Sequence, residues 1–62
     1  MPIKEEKVVV IFEYSPLKKD ELRLEQGKVI SILFKNDDGW WEGIDHHGKR
    51  GLFPSNYVQE LI

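Results

Sequence analysis

The chain has 62 residues, 40% of them hydrophobic and 32% charged, and no cysteine. That is enough for one small core, near the lower size at which a chain folds without a disulfide or metal staple, and it excludes a second domain or a large catalytic cleft. The formal net charge is −2, with 9 basic residues scattered among 11 acids, which disfavours partners held by phosphate neutralisation and points to a basic or neutral one.

Residues 1–7 are polar and read as a flexible flank, as at the edge of a module set in a longer protein. They lack the apolar stretch of a signal peptide, and the longest apolar run, residues 8–12, is far too short to span a bilayer. That run, Val8-Val9-Val10-Ile11-Phe12, is β-branched and aromatic and predicts a first strand with Val8, Val10 and Phe12 on one parity. Residues 14–24 are polar around Pro16 and the cluster Lys18-Lys19-Asp20-Glu21, then return with Leu22 and Leu24 flanking Arg23. This predicts an extended excursion with a half-buried return arm. Gly27 suits a tight turn with positive φ, and residues 29–34 read as a second strand with Ile30 and Ile32 inward. A loop over residues 35–39 precedes a third strand at 40–45, and a fourth strand follows at 49–53. Between them, Asp45-His46-His47-Gly48-Lys49 closes a short hairpin with a bulge, Gly48 supplying the positive φ. Pro54 lacks an amide donor and ends the fourth strand's ladder; Ser55-Asn56-Tyr57 suits a single helical turn, and residues 58–61 form a short fifth strand.

Short strands, glycine-marked turns and no helical periodicity beyond one turn predict an all-β fold, a small five-stranded barrel with a short 3-10 turn near residues 55–57. Its expected core is Val8, Val10, Leu22, Leu24, Ile30, Ile32, Phe53 and Val58, with Gly43 placed where a larger side chain would crowd Trp41.

Gly39-Trp40-Trp41-Glu42-Gly43 and Gly51-Leu52-Phe53-Pro54-Ser55-Asn56-Tyr57-Val58 carry rings that a small soluble domain keeps outside its core only when they form a surface for something else. The hairpin lets Trp40 and Pro54 lie on neighbouring strands, and strand alternation sends Trp40, Glu42 and Ile44 to one face and Trp41, Gly43 and Asp45 to the other. One tryptophan is then free while Trp41 abuts the barrel edge.

With the strands placed, residues 8–61 resemble an SH3 domain. Val10-Ile11-Phe12-Glu13-Tyr14 is similar to the family's Ala-Leu-Tyr-Asp-Tyr opening, and Asp20-Glu21-Leu22 to its acidic first loop. Trp40-Trp41 matches its tryptophan pair, and residues 51–58 match its closing signature. The resemblance implies a noncatalytic, cytoplasmic adaptor or signalling module, monomeric within a larger protein. It also implies a peptide groove formed by Phe12, Tyr14, Trp40, Pro54, Asn56 and Tyr57, with Glu21, aided by Asp20, opposite a basic ligand residue. The family usually has tyrosine where Phe12 stands, and some members have tyrosine at the place of Leu52; both differences make this groove more apolar.

A polyproline II ligand has three residues per turn, ridges of ring carbons and exposed carbonyls. Parallel aromatic plates suit the ridges, with slots between Tyr14 and Tyr57 and between Tyr57, Trp40 and Pro54, while the Trp40 indole N–H, the Asn56 amide and the Tyr57 hydroxyl face the carbonyls. Asp37, Asp38 and Glu42 extend the negative field beside Trp40. A ligand arginine is preferred to lysine because its planar fork engages a carboxylate through two bonds.

Other readings are weaker. A nucleic-acid-binding small barrel also uses aromatic plates, but acidic charge around the groove opposes it. Ubiquitin binding by some family members uses a phenylalanine where this chain has Tyr57. Lys18-Lys19 beside Asp20 and Glu21 is a mixed-charge loop tip, not a phosphate contact. Catalysis is not expected, because no serine has a histidine–carboxylate partner in any strand layout and no phosphate loop is present. No cofactor or metal is expected: His46 and His47 are adjacent turn residues that should diverge, and the Asp37-Asp38 loop offers too few oxygens for a cation.

Overall fold

The computed structural model describes residues 6–61; the greater part of the expected flexible flank, residues 1–5, lies outside them. Valine-rich and aromatic runs form β1 (Lys7–Val10), β2 (Val29–Lys35), β3 (Trp40–Ile44), β4 (Arg50–Pro54) and β5 (Val58–Glu60). They make a five-stranded antiparallel sheet in the order β4-β3-β2-β1-β5. A 3-10 turn, Ser55–Tyr57, joins β4 to β5. The all-β barrel with one short 3-10 turn is therefore the observed fold. Among the described residues, no helix is long and apolar enough to cross a membrane.

The first strand opens at Lys7, and the Glu6 carbonyl already accepts the Ile32 amide at 2.8 Å. The excursion after β1 is held as an irregular hairpin by reciprocal bonds between the backbones of Tyr14 and Leu24, at 3.1 and 3.0 Å. Its return arm docks on β4 through Leu22 N–H to Leu52 C=O at 2.7 Å and Leu52 N–H to Asp20 C=O at 2.8 Å. Gly51 makes this approach possible: a Cβ there would lie 3.1 Å from the Leu22 nitrogen and 3.2 Å from the Asp20 carbonyl oxygen. At the β3–β4 hairpin, Gly48 has φ +81, the Gly48 amide bonds the Asp45 carbonyl at 3.0 Å, and the Asp45 amide bonds the Lys49 carbonyl at 2.9 Å. This is the bulged hairpin that the sequence predicts.

Val8, Val10, Leu22, Leu24, Ile30 and Phe53 form the buried core, each exposed by 1% or less. Burying one such side chain contributes roughly 1.5–3 kcal/mol, so the core contributions come from β1, the return arm, β2 and β4 together. Ile32 and Val58 are half-buried and pack against this cluster without belonging to it. Ile32 borders the register shift between Ile32 and Phe34 against β3, and Val58 opens the outermost strand. Gly43 is confined, most closely by its neighbours on the adjoining strands. A Cβ there would lie 2.7 Å from Ile30 Cγ2, 2.8 Å from the Ser31 carbonyl oxygen and 3.0 Å from Phe53 Cε2.

Phe12 departs from the parity of Val8 and Val10. β1 ends at Val10, and the amides of Ile11 and Phe12 both turn to the Tyr57 carbonyl, at 2.8 and 3.3 Å. Alternation stops there, and the Phe12 ring is 59% exposed.

Candidate functional site

The two hydrogen bonds donated by the Ile11 and Phe12 amides to the Tyr57 carbonyl also fix the 3-10 turn against the chain leaving β1, bringing the Phe12 and Tyr57 rings to a centroid distance of 5.9 Å. Tyr14 stands between Tyr57 and Trp40, with centroids 5.7 Å from the former and 5.9 Å from the latter. Trp40 is placed by three local devices. Its amide bonds Asp38 Oδ1 at 3.0 Å, it pairs with Pro54 across β3 and β4, and the Ser55 amide closes the far side on the Gly39 carbonyl at 2.8 Å. Phe12, Tyr14, Trp40, Pro54 and Tyr57 thus line one continuous aromatic face, and Asn56 is exposed on the 3-10 turn beside it.

The ring pairs that touch are not parallel plates. Their planes meet at 78°, 74° and 88°, edge to face. That is the arrangement a ring quadrupole prefers, and it locks Tyr14 as a wedge separating Tyr57 from Trp40. Among the described residues, no internal hydrogen bond engages the Trp40 indole N–H, the Asn56 side chain or the Tyr57 hydroxyl. All three groups remain available to an external partner.

Trp41 points away from this face. It packs against the core, pairs with Lys35 across β2 and β3, and carries the Lys35 ammonium 4.7 Å from its ring centroid.

The acids behave differently from one another. Glu21 is 8% exposed, and its Oε1 accepts the Tyr14 hydroxyl at 2.7 Å, the Leu17 amide at 2.7 Å and the Lys18 amide at 3.3 Å. These donors, the Leu17 amide foremost and the Tyr14 hydroxyl next, hold the carboxyl below its ordinary range. The same bond, with burial adding to it, pushes the Tyr14 phenol up to about 12. Asp20, next to Glu21, is exposed, as are Asp37 and Asp38. Glu42, expected to add to the negative field beside Trp40, is instead paired with Arg50 at 2.6 Å, and this contact raises the guanidinium's pKa. The cross-strand register explains it: Glu42 pairs with Leu52 and Ile44 with Arg50, so the two charged chains are diagonal neighbours.

His46 and His47 do not diverge. Their ring centroids are 4.0 Å apart, and His46 Nε2 lies 3.5 Å from Glu25 Oε1. Glu25 has no role in the sequence reading; it sits in a turn remote in the chain, and only the fold brings it to the hairpin.

Residues 10–59 match the sequence profile of the variant SH3 domain family. The chain is 50% identical over 52 residues to mouse CD2-associated protein and 49% identical over 51 residues to Protein app1 of Schizosaccharomyces pombe. These alignments take in 84% and 82% of this chain but span only 8% and 6% of those proteins' lengths. Among solved structures, the C-terminal SH3 domain of myosin IB from Entamoeba histolytica, bound to an EhFP10(GEF) peptide, superposes with a TM-score of 0.90 at 36% identity, covering 98% of this chain and 100% of that one. The yeast Nbp2p SH3 domain, in complex with a peptide from Ste20p, superposes with a TM-score of 0.87 at 30% identity, covering 100% and 94%. Profile, relatives and superposition agree with the five-stranded fold: this chain belongs to the SH3 domain family.

Proposed function

We propose that this chain is a noncatalytic interaction module that binds proline-rich segments of other proteins in the polyproline II conformation, through the face formed by Phe12, Tyr14, Trp40, Pro54, Asn56 and Tyr57. The observation that carries the reading is the wedge of Tyr14 between Tyr57 and Trp40, with unspent donors on either side. Such a surface offers apolar notches for proline rings and hydrogen bonds for the ligand's carbonyls. The peptide-bound myosin IB and Nbp2p domains support a peptide as the class of partner. Because the ligand is stiff before binding, little entropy is lost, and a contact this small reaches micromolar affinity, about −8 kcal/mol.

A basic residue flanking the ligand's prolines meets the acidic loop. Glu21 has Oε1 committed internally while Asp20 is exposed, so we assign Asp20 the direct contact with a ligand guanidinium, where the sequence reading put Glu21 first. Glu21 adds its charge and sets the loop's shape. The setting this implies is cytoplasmic, with the module acting as a monomer in a longer adaptor-type protein.

The test is a panel of proline-rich peptides, with and without a flanking arginine, read by intrinsic tryptophan fluorescence beside a single-stranded oligonucleotide at moderate salt. Saturable binding of the arginine-bearing peptides is expected. Retention of the oligonucleotide with no response to any peptide would replace this reading by nucleic-acid binding.

A further inference from the structure

The hairpin tip and the turn after the return arm bring three metal-binding side chains together. One ligand atom from each of Glu25, His46 and His47 lies within 4.8 Å of the others, and the His46 Nε2 to Glu25 Oε1 separation is 3.5 Å. A zinc ion with bonds of about 2.0–2.2 Å has tetrahedral edges of about 3.4 Å, so one edge is already formed. The rest must close by at most about 1.4 Å from the 4.8 Å limit. All three side chains are exposed, and rotation about their own torsions supplies that movement.

The backbones beneath them are fixed. Asp45 Oδ1 accepts the amides of His47 and Lys49, both at 2.9 Å, which stiffens the tip on which the imidazoles stand. The turn carrying Glu25 is closed by the Lys28 amide on the Glu25 carbonyl at 3.1 Å and anchored by the Gly27 amide on the Val10 carbonyl at 2.9 Å. Two imidazole nitrogens with one carboxylate oxygen are a donor set for zinc and neighbouring transition metals. Calcium and magnesium, which require oxygen ligands, are disfavoured.

We propose that Glu25, His46 and His47 form a surface zinc site that clips the turn at residues 25–28 to the β3–β4 hairpin, with water in the fourth position. The site is separate from the peptide face. Trp40 and Pro54 lie at one end of the β3–β4 ribbon and Ile44 and Arg50 at the other, about 13 Å apart at the usual strand rise. The proposal therefore stands or falls independently of peptide binding. Zinc bound only to the folded chain raises its melting temperature by linkage.

The experiment titrates zinc chloride into the untagged chain, followed by calorimetry and amide chemical shifts, alongside Glu25→Gln, His46→Gln and His47→Gln. A single saturable equivalent is expected, with shifts confined to the two loops and the Trp40 resonances unmoved. Each substitution weakens binding by about tenfold or more, and at a given zinc concentration the melting temperature of the parent chain rises more than that of any variant. Variants that bind as the parent does, shifts scattered over the surface acids, or no saturation at millimolar zinc would each overturn the site. Should a variant fail to fold, the parent's shift map alone decides between these outcomes.

Discussion

The Tyr14 hydroxyl donates to Glu21 Oε1 at 2.7 Å, so the ring at the centre of the aromatic face is tethered to the buried acid of the first loop. The bond stabilises the protonated phenol and the ionised carboxylate at once. Tyr14 is pushed up to about 12 and Glu21 is lowered. The raised phenol contributes stability that is fully present below its ordinary value of 10.0 and is lost as pH rises through about 12. The lowered carboxyl contributes above its unfolded value and is lost as pH falls through the folded one. In a Tyr57→Phe background, ultraviolet difference absorbance should place the remaining phenol near 12. Adding Glu21→Gln should return it toward 10.0.

Asp20 and Glu21 should separate in their effects. Asp20→Asn leaves the loop intact and weakens arginine-bearing peptides more than peptides without a basic residue. Glu21→Gln lowers the melting temperature and weakens both peptide classes, because it loosens Tyr14 and the turn at Leu17 and Lys18. Paired titrations of the two peptide classes with each variant check this. A selective loss on Glu21→Gln with none on Asp20→Asn would restore Glu21 as the direct partner.

Trp40 is half-buried and outside the core cluster, and its neighbours on the face are Tyr14 and Pro54. Trp40→Ala should leave the far-ultraviolet circular dichroism and cooperative unfolding in place while costing peptide affinity about 2 kcal/mol or more, roughly 30-fold. Trp41→Ala should do the opposite: it removes a ring that packs on the core and carries Lys35, and so lowers the melting temperature.

Gly43→Ala should destabilise by about 1–3 kcal/mol, since overpacking forces neighbours to shift. The obstacle is partly backbone: the new methyl would meet the Ser31 carbonyl oxygen at 2.8 Å as well as Ile30 and Phe53. Denaturant unfolding measures the loss. The same method applied to Ile30→Ala or Leu24→Ala should show a deficit of about 2–5 kcal/mol, much of a small domain's total stability.

Strand positions and the core were legible because they rest on local information: β-branched runs, glycine and proline punctuation, and alternation within one strand. The buried set contains Val8, Val10, Leu22, Leu24, Ile30 and Phe53 for that reason. What alternation could not show depends on how strands pair. Ile32 loses full burial at the register shift beside it, and the atoms nearest a Cβ at Gly43 belong to Ile30, Ser31 and Phe53 of the neighbouring strands. The aromatic face was identifiable by residue type and order, whereas its geometry was not. Edge-to-face contacts, the capture of Glu21 by three donors and the Glu42–Arg50 pair are set by side-chain approach across segments. The meeting of Glu25 with His46 is of the same kind, since two turns distant in sequence touch only after the sheet closes.

The most direct test of the peptide-binding account is chemical-shift mapping of the isotopically labelled chain with an arginine-flanked proline-rich peptide. The account predicts saturable shifts concentrated on the Trp40 indole, the Asn56 side-chain amide and the backbone around Tyr14 and Tyr57, those outside residue 40 needing roughly 30-fold more peptide or not appearing at all in Trp40→Ala. Binding that moves other surfaces and leaves these resonances still, or that survives Trp40→Ala undiminished, would contradict it.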